Sequence, residues 1–99
     1  MKTLILSSRN STTNHHSVTV EPEYQYSAID YSKFDTLIID TAEKEAYKIV
    51  HYLSQKFLLN KLTIVYITDN TSKESIEKLQ TVGIEEFYPT IEMFLSKAA

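Results

Sequence analysis

The sequence contains no cysteine and a single glycine, Gly83. The lack of cysteine excludes disulfides, thiolate catalysis and cysteine-ligated zinc or iron–sulfur centres. With one glycine, the chain cannot form a glycine-rich phosphate loop, a dinucleotide-binding fingerprint or a nucleophile elbow. These absences favour a binding or regulatory module over an enzyme, and a small enzyme of unknown class ranks as the third alternative.

Positive charge is also scarce, because ten Lys and Arg residues are outnumbered by thirteen Asp and Glu residues, for a net charge of −3. The basic residues are scattered, whereas binding to nucleic acid needs them clustered, so we expect no nucleic-acid partner. No apolar run is long enough for a signal peptide or a membrane span, and we expect a cytoplasmic protein with no membrane contact. The 99 residues predict one folded domain spanning 1–99.

Apolar periodicity predicts alternating strands and helices over the last two-thirds of the chain. Strands are predicted at 3–6, 17–21, 34–40, 61–68 and 84–88, and helices at 43–59, 72–82 and 91–98. Residues 11–16 are predicted to form a loop, and 23–33 give a weak signal. This order requires right-handed crossovers, so we predict a small three-layer α/β sandwich around a mostly parallel sheet of about five strands.

In such sheets the functional edge is formed by the carboxyl ends of the strands. The polar or aromatic residues that fall there are Ser7, Ser8, Asp40, Thr68 and Tyr88. These residues are the first candidates for a functional site.

Asp40 has two interpretations at this edge. The stretch Asp40–Glu43 has the pattern of a capping box, so Asp40 could cap the following helix, or it could serve as a phospho-acceptor or ligand. The histidines give no metal site, since the adjacent His15 and His16 point in opposite directions on an extended segment and His51 has no ligand at a defined spacing. We therefore predict neither a metal nor another cofactor.

Aligned by its strand ends, the chain resembles the receiver domain of bacterial response regulators, a flavodoxin-like phospho-acceptor module. Residues 2–8 are similar to the first strand of that family and residues 34–40 to the third, with Asp40 in the place of the phospho-acceptor aspartate. Residues 64–68 are similar to the fourth strand and place Thr68 as the switch hydroxyl. The resemblance implies a signalling module of a two-component system.

Departures from the family pattern bear on the chemistry. Ser7 and Ser8 stand where receivers carry their acidic metal-binding pair. Tyr88, which precedes Pro89, stands where receivers carry a lysine before a proline. Mg²⁺ is normally held by carboxylates, so the resemblance implies a degenerate, non-catalytic receiver in which Asp40 is at most a residual phospho-acceptor. The region between the first two strands is too short for the usual first helix, which we expect to be shortened or absent.

A degenerate receiver would act through protein contacts. In receivers the face formed by the last strand and its flanking helices commonly carries dimer and partner contacts. Here that face contains Glu85, Glu86, Tyr88 and Glu92. Tyrosine is common in interface hot spots, and the three glutamates favour a basic partner surface, on another protein or on a second copy of the chain.

A second resemblance points to a different regulatory family. Residues 61–99 are also similar to the tail of STAS domains, the anti-sigma-factor antagonists, which begin with a hairpin. In that reading Thr41, after Asp40, would be the phosphorylated hydroxyl. The two resemblances differ in how strands 4–6 and 18–20 pair, since the receiver requires parallel pairing and STAS an antiparallel hairpin.

Overall fold

The computed structural model describes residues 2–8, 18–69 and 72–98. A single sheet has the order β2-β1-β3-β4-β5, and all its pairings are parallel. Its strands are β1 (Thr3–Ser7), β2 (Val18–Pro22), β3 (Thr36–Asp40), β4 (Thr63–Ile67) and β5 (Glu86–Tyr88). The helices are α1 (Glu43–Gln55), α2 (Lys73–Val82) and α3 (Ile91–Ala98). The predicted α/β class is therefore confirmed as a small flavodoxin-like sandwich with a parallel five-stranded sheet.

The pairing of β1 with β2 decides between the two predicted topologies. The strands run parallel, from Thr3 opposite Val18 to Ser7 opposite Pro22. The antiparallel opening hairpin implied by the STAS resemblance is not the arrangement found. The structure does not describe residues 9–17. The predicted loop at 11–16, the expected shortened first helix, His15 and His16 all lie in this part of the chain.

The two faces of the sheet are covered by different helices. Within a strand, alternate side chains point to opposite faces, so Leu4 and Leu6 contribute to one apolar cluster and Ile5 to the other. The first cluster includes buried residues of α1 and α2, among them Ile49, Leu53 and Leu79. The second joins Ile5, Ile38 and Val65 to Phe94 and Leu95 of α3. Within the described ranges, no helix has the length and apolar character needed to cross a bilayer.

Residues 23–33, which gave a weak sequence signal, form two short 3₁₀ turns at Glu23–Gln25 and Tyr31–Lys33. Tyr31 is buried, and its hydroxyl donates a hydrogen bond to the Tyr26 carbonyl at 2.6 Å. The Asp30 carboxylate accepts a hydrogen bond from the Ser32 backbone N–H at 3.1 Å. These local bonds order the connection between β2 and β3 without an α-helix.

The two longer helices are both followed by a residue in the left-handed conformation, which is a glycine in one case and a phenylalanine in the other. After α2, Gly83 has φ +122°, which confirms the predicted left-handed turn at this glycine. After α1, the left-handed residue is Phe57, with φ +58°. Its N–H donates to the Ser54 carbonyl at 3.1 Å, and the next N–H, of Leu58, donates to Leu53 at 2.9 Å. These two bonds form a Schellman motif.

The predicted end of α1 at residue 59 is therefore wrong, because the helix ends at Gln55. Phe57 was predicted to lie on the inner stripe of this helix, but 84% of it is exposed. The chain has to reverse direction to begin β4 at Thr63, and the Schellman motif provides that reversal.

Replacing Phe57 should reveal the strain of this turn. A left-handed conformation costs a residue with a Cβ about 1 kcal/mol, whereas glycine adopts it freely. We expect Phe57→Gly to raise the free energy of unfolding by about 1 kcal/mol relative to Phe57→Ala in urea denaturation. The alanine variant is the matched control, since it also removes the ring but keeps the Cβ. Equal free energies of unfolding for the two variants would show that the left-handed conformation of Phe57 carries no strain.

Candidate functional site

The carboxyl edge of the sheet brings the last residues of β1 and β3 side by side. Ser7 is directly opposite Asp40 in the parallel register, and both residues are almost fully buried. The Ser7 hydroxyl donates a hydrogen bond to Oδ2 of Asp40 at 3.3 Å. The N–H of Ser8 donates to the Asp40 carbonyl at 3.1 Å, which extends the pairing by one residue. Ser7, Ser8 and Asp40 thus meet at this edge, as the predicted fold required.

The prediction that Asp40 could cap the following helix is wrong. The N-cap of α1 is Ala42, and no side chain accepts a capping hydrogen bond there. Asp40 remains inside the sheet as the last residue of β3, where its side chain meets Ser7. The first turn of α1 instead carries Glu43 and Glu45, whose negative charges are favourable near a helix N-terminus.

Thr41, which the STAS resemblance implied as the phosphorylated residue, is held by local contacts. Its hydroxyl donates to the Ala42 carbonyl at 3.0 Å, and its own carbonyl accepts a hydrogen bond from the Tyr66 hydroxyl at 2.9 Å. Burial raises the pKa of Tyr66, and the nearby charges of Glu43 and Asp40 raise it further. Sequence reasoning missed Tyr66, although it is the one aromatic residue of the 61–68 run.

The other end of this edge is formed by β4 and β5. The N–H of Thr68 donates to the Tyr88 carbonyl at 2.9 Å, so these two predicted site residues are also neighbours. The Tyr88 ring is half-buried and packs edge-on against Phe94, with ring centroids 5.2 Å apart. Its hydroxyl donates to Oε1 of Glu86 at 2.9 Å. Tyr88 therefore links β5 to α3.

Lys97 of α3 completes this group and was also missed by sequence reasoning. Its Nζ lies 5.6 Å from the centre of the Tyr88 ring. The hydrogen bond to Tyr88 raises the pKa of Lys97, and the negative charge of Glu86 acts in the same direction. Lys97 therefore lies beside the Tyr88 ring, on the helix that follows β5.

The acidic side chains around β5 and α3 differ in exposure. Glu85 and Glu92 are exposed, and Glu86 is half-buried beside Tyr88. His51 is exposed on α1, at a different place in the fold. Over residues 2–8, 18–69 and 72–98, no three His, Asp or Glu side chains are grouped so that they could hold a metal ion.

Comparison with known proteins gives no relative for this chain. No family model matches it, and no curated protein or solved structure is significantly similar to it.

The hydrogen bond between Ser7 and Asp40 should contribute measurably to stability. We expect Asp40→Ala to lower the free energy of unfolding by about 1–3 kcal/mol, because a buried donor loses its acceptor. In a double-mutant cycle with Ser7→Ala, urea denaturation should give a coupling energy of about 1 kcal/mol. Strictly additive effects would show that the two side chains do not interact.

Alkaline pH should test the contact of Tyr66 with Thr41. The folded protein keeps this phenol protonated at pH values where the unfolded chain ionises, so the stability it contributes is present below about pH 10 and is lost as the pH rises further. Tyr66→Phe should make this alkaline loss less steep, and should cost about 1 kcal/mol at neutral pH because the Thr41 carbonyl loses its donor.

The control for this experiment is Tyr24→Phe, because 69% of Tyr24 is exposed. Tyr24→Phe should change neither the free energy of unfolding at neutral pH nor the rate at which that free energy falls as the pH rises. Unfolding followed by circular dichroism from pH 7 to pH 11 supplies the measurement. An unchanged slope in Tyr66→Phe would contradict a role for this phenol.

Proposed function

We propose that this chain is a degenerate receiver-like signalling module that acts by binding protein partners and does not transfer phosphoryl groups. The strand order β2-β1-β3-β4-β5 supports the proposal, because it is the order of flavodoxin-like folds. The parallel pairing of β1 with β2 favours this class over the STAS alternative. Asp40 then lies at the end of the central strand, the place a phospho-acceptor would take.

The observation that carries the proposal is the contact between Asp40 and Ser7. Formation of an acyl phosphate requires a carboxylate oxygen to attack phosphorus while Mg²⁺ neutralises the phosphate oxygens. At this edge Oδ2 of Asp40 accepts a hydrogen bond from a neutral serine, in the place where a receiver has an acidic residue. The carboxylate is also buried, with 4% of the residue exposed. This arrangement favours a structural role in joining β1 to β3.

The proposed contact surface is formed by α2, β5 and α3. Glu85 and Glu92 are exposed on it, and the Tyr88 ring is held in place by Phe94 and Glu86. A tyrosine whose conformation is already fixed loses little entropy on binding, which makes it a suitable hot-spot residue. The glutamates give this surface a negative charge, which complements a basic surface on a partner protein or on a second copy of the chain.

A phosphodonor experiment tests the proposal. After incubation with acetyl phosphate and Mg²⁺, intact-mass spectrometry should find no phosphoryl adduct on the wild-type protein. The physical reason is that Ser7, Ser8 and Tyr88 stand at the positions that the resemblance assigns to the acidic pair and the lysine, which would stabilise the developing charge. A stoichiometric adduct that is removed by Asp40→Asn would overturn the proposal.

The matched comparison restores parts of the receiver pattern. In the double variant Ser8→Asp with Tyr88→Lys, a carboxylate and an ammonium group return to positions that the resemblance assigns to them. We expect acetyl phosphate to label this variant on Asp40 and to leave the wild type unlabelled. Equal labelling of both proteins would show that the substituted residues are not what separates this chain from an active receiver.

A further inference from the structure

A cavity lies beneath the connection between β2 and β3, on the sheet face that α1 and α2 also cover. It has a volume of about 300 Å³ and opens to solvent. Leu4 of β1 forms part of its lining, and the connection adds Ala28, Ile29 and Phe34. The other lining residues are polar or charged. An apolar lining with a few convergent polar groups is typical of a site for a small molecule.

The edge strand β2 places polar side chains on a face where its neighbour β1 is apolar. Thr19 is opposite Leu4 and Glu21 is opposite Leu6 in the parallel register, so these side chains point to the same face of the sheet. Leu4 and Leu6 are buried in the larger apolar cluster, whereas Thr19 and Glu21 line the cavity. Packing against the core would favour apolar side chains at both β2 positions, so packing does not explain them.

Glu21 is the carboxylate that the fold leaves without a counter-ion. Its side chain is half-buried, and within residues 2–8, 18–69 and 72–98 it has neither a hydrogen bond nor an ion pair. Gln25, which is half-buried and also lines the cavity, has no side-chain hydrogen bond within the same ranges. Partial burial removes water from a carboxylate, and this costs free energy unless a cation takes the place of the water.

The two other charged lining residues compensate each other. Asp30 accepts hydrogen bonds from the N–H and the hydroxyl of Ser32. These bonds lower the pKa of Asp30, and the positive charge of Lys33 acts in the same direction. Asp30 and Lys33 are both exposed at the rim of the cavity, so Glu21 supplies its uncompensated charge. The complement of this cavity is therefore a ligand with one positive group.

We propose that the cavity binds a small primary amine in its ammonium form. The Glu21 carboxylate accepts one N–H of the ammonium group, and the Thr19 hydroxyl and the Gln25 side-chain oxygen accept the other two. The apolar body of the amine lies against Leu4 and Phe34. The inference goes beyond the proposed function, because the cavity lies at the β2 edge of the sheet and the proposed contact surface lies at the opposite edge, around β5.

Amide NMR of the full chain with three amines tests the inference. The probes are butylamine, 2-phenylethylamine and tryptamine, which carry the same ammonium group on apolar bodies of increasing size. We expect saturable shifts at Thr19, Glu21 and Gln25 with at least one of them, at a dissociation constant of about 1 mM or lower. The absence of saturable shifts with all three amines would overturn the proposal and leave Glu21 as a charge that protects the edge strand from pairing.

A matched ligand tests the role of the positive charge. For the amine that binds best, the control is the alcohol with the same apolar body, which keeps the shape and loses the charge. We expect the alcohol to bind about tenfold more weakly or worse, because a hydrogen bond to a charged group is stronger than one between neutral groups. Equal binding of the alcohol and the amine would overturn the proposal.

Two isosteric variants locate the bound ammonium group. Glu21→Gln removes the charge and keeps the shape of the side chain, and we expect it to weaken binding of the best amine about tenfold. Glu23→Gln is the matched control, since it removes the same charge from a half-buried residue outside the cavity lining, and it should bind like the wild type. Circular dichroism confirms that both variants are folded. Unchanged binding in Glu21→Gln, or equal weakening in both variants, would contradict the site.

A lysine side chain of another protein carries the same ammonium group and is the alternative source. Nα-acetyl-lysinamide represents this source, because its only ammonium group is on the side chain. We expect it to bind more weakly than the best free amine, because its polar amide groups gain nothing from the apolar lining of the cavity. Tighter binding of Nα-acetyl-lysinamide than of all three amines would overturn the proposal of a free small ligand.

Discussion

The parallel pairing of β1 with β3 is the contact on which the rest of this structure depends. Its register puts Ser7 opposite Asp40, so the carboxyl edge of the sheet is built around a buried hydroxyl–carboxylate hydrogen bond. The same register aligns Leu4 with Leu37 and Ile5 with Ile38, which sends matched apolar rows to both faces. Because a shift of one residue would exchange the two faces, both apolar clusters and the polar edge are fixed together.

The helices that cover the two faces of the sheet create the outer surfaces of the domain. On one face α1 and α2 pack side by side and leave a groove that is open to solvent. On the other, α3 packs through Phe94 and Leu95 and holds the Tyr88 ring beside Glu86.

The sequence predicted the parts of this fold in which local and long-range preferences agree. The 34–40 and 61–68 runs contain β-branched residues in series, and they include the buried strand β3 and the strand β4, whose central residues are buried, although both strands are shorter than predicted. The predicted capping role of Asp40 was wrong because the residues from Asp40 to Glu43 fit both the end of a strand and a capping box. Only the pairing of Asp40 with Ser7 decides between these two structures. Phe57 continues the helical spacing of α1, so its exposure follows from a reversal that periodicity does not encode.

The most direct measurement is an amide NMR titration with Mg²⁺ and beryllium trifluoride, an analogue of the acyl phosphate. If Asp40 serves to join β1 to β3, the resonances of Ser7, Asp40 and Thr68 should stay in place up to millimolar concentrations of both reagents. Saturable shifts at these three residues, lost in Asp40→Asn, would contradict the account, because they would show that the edge still binds a phosphoryl group and its metal ion.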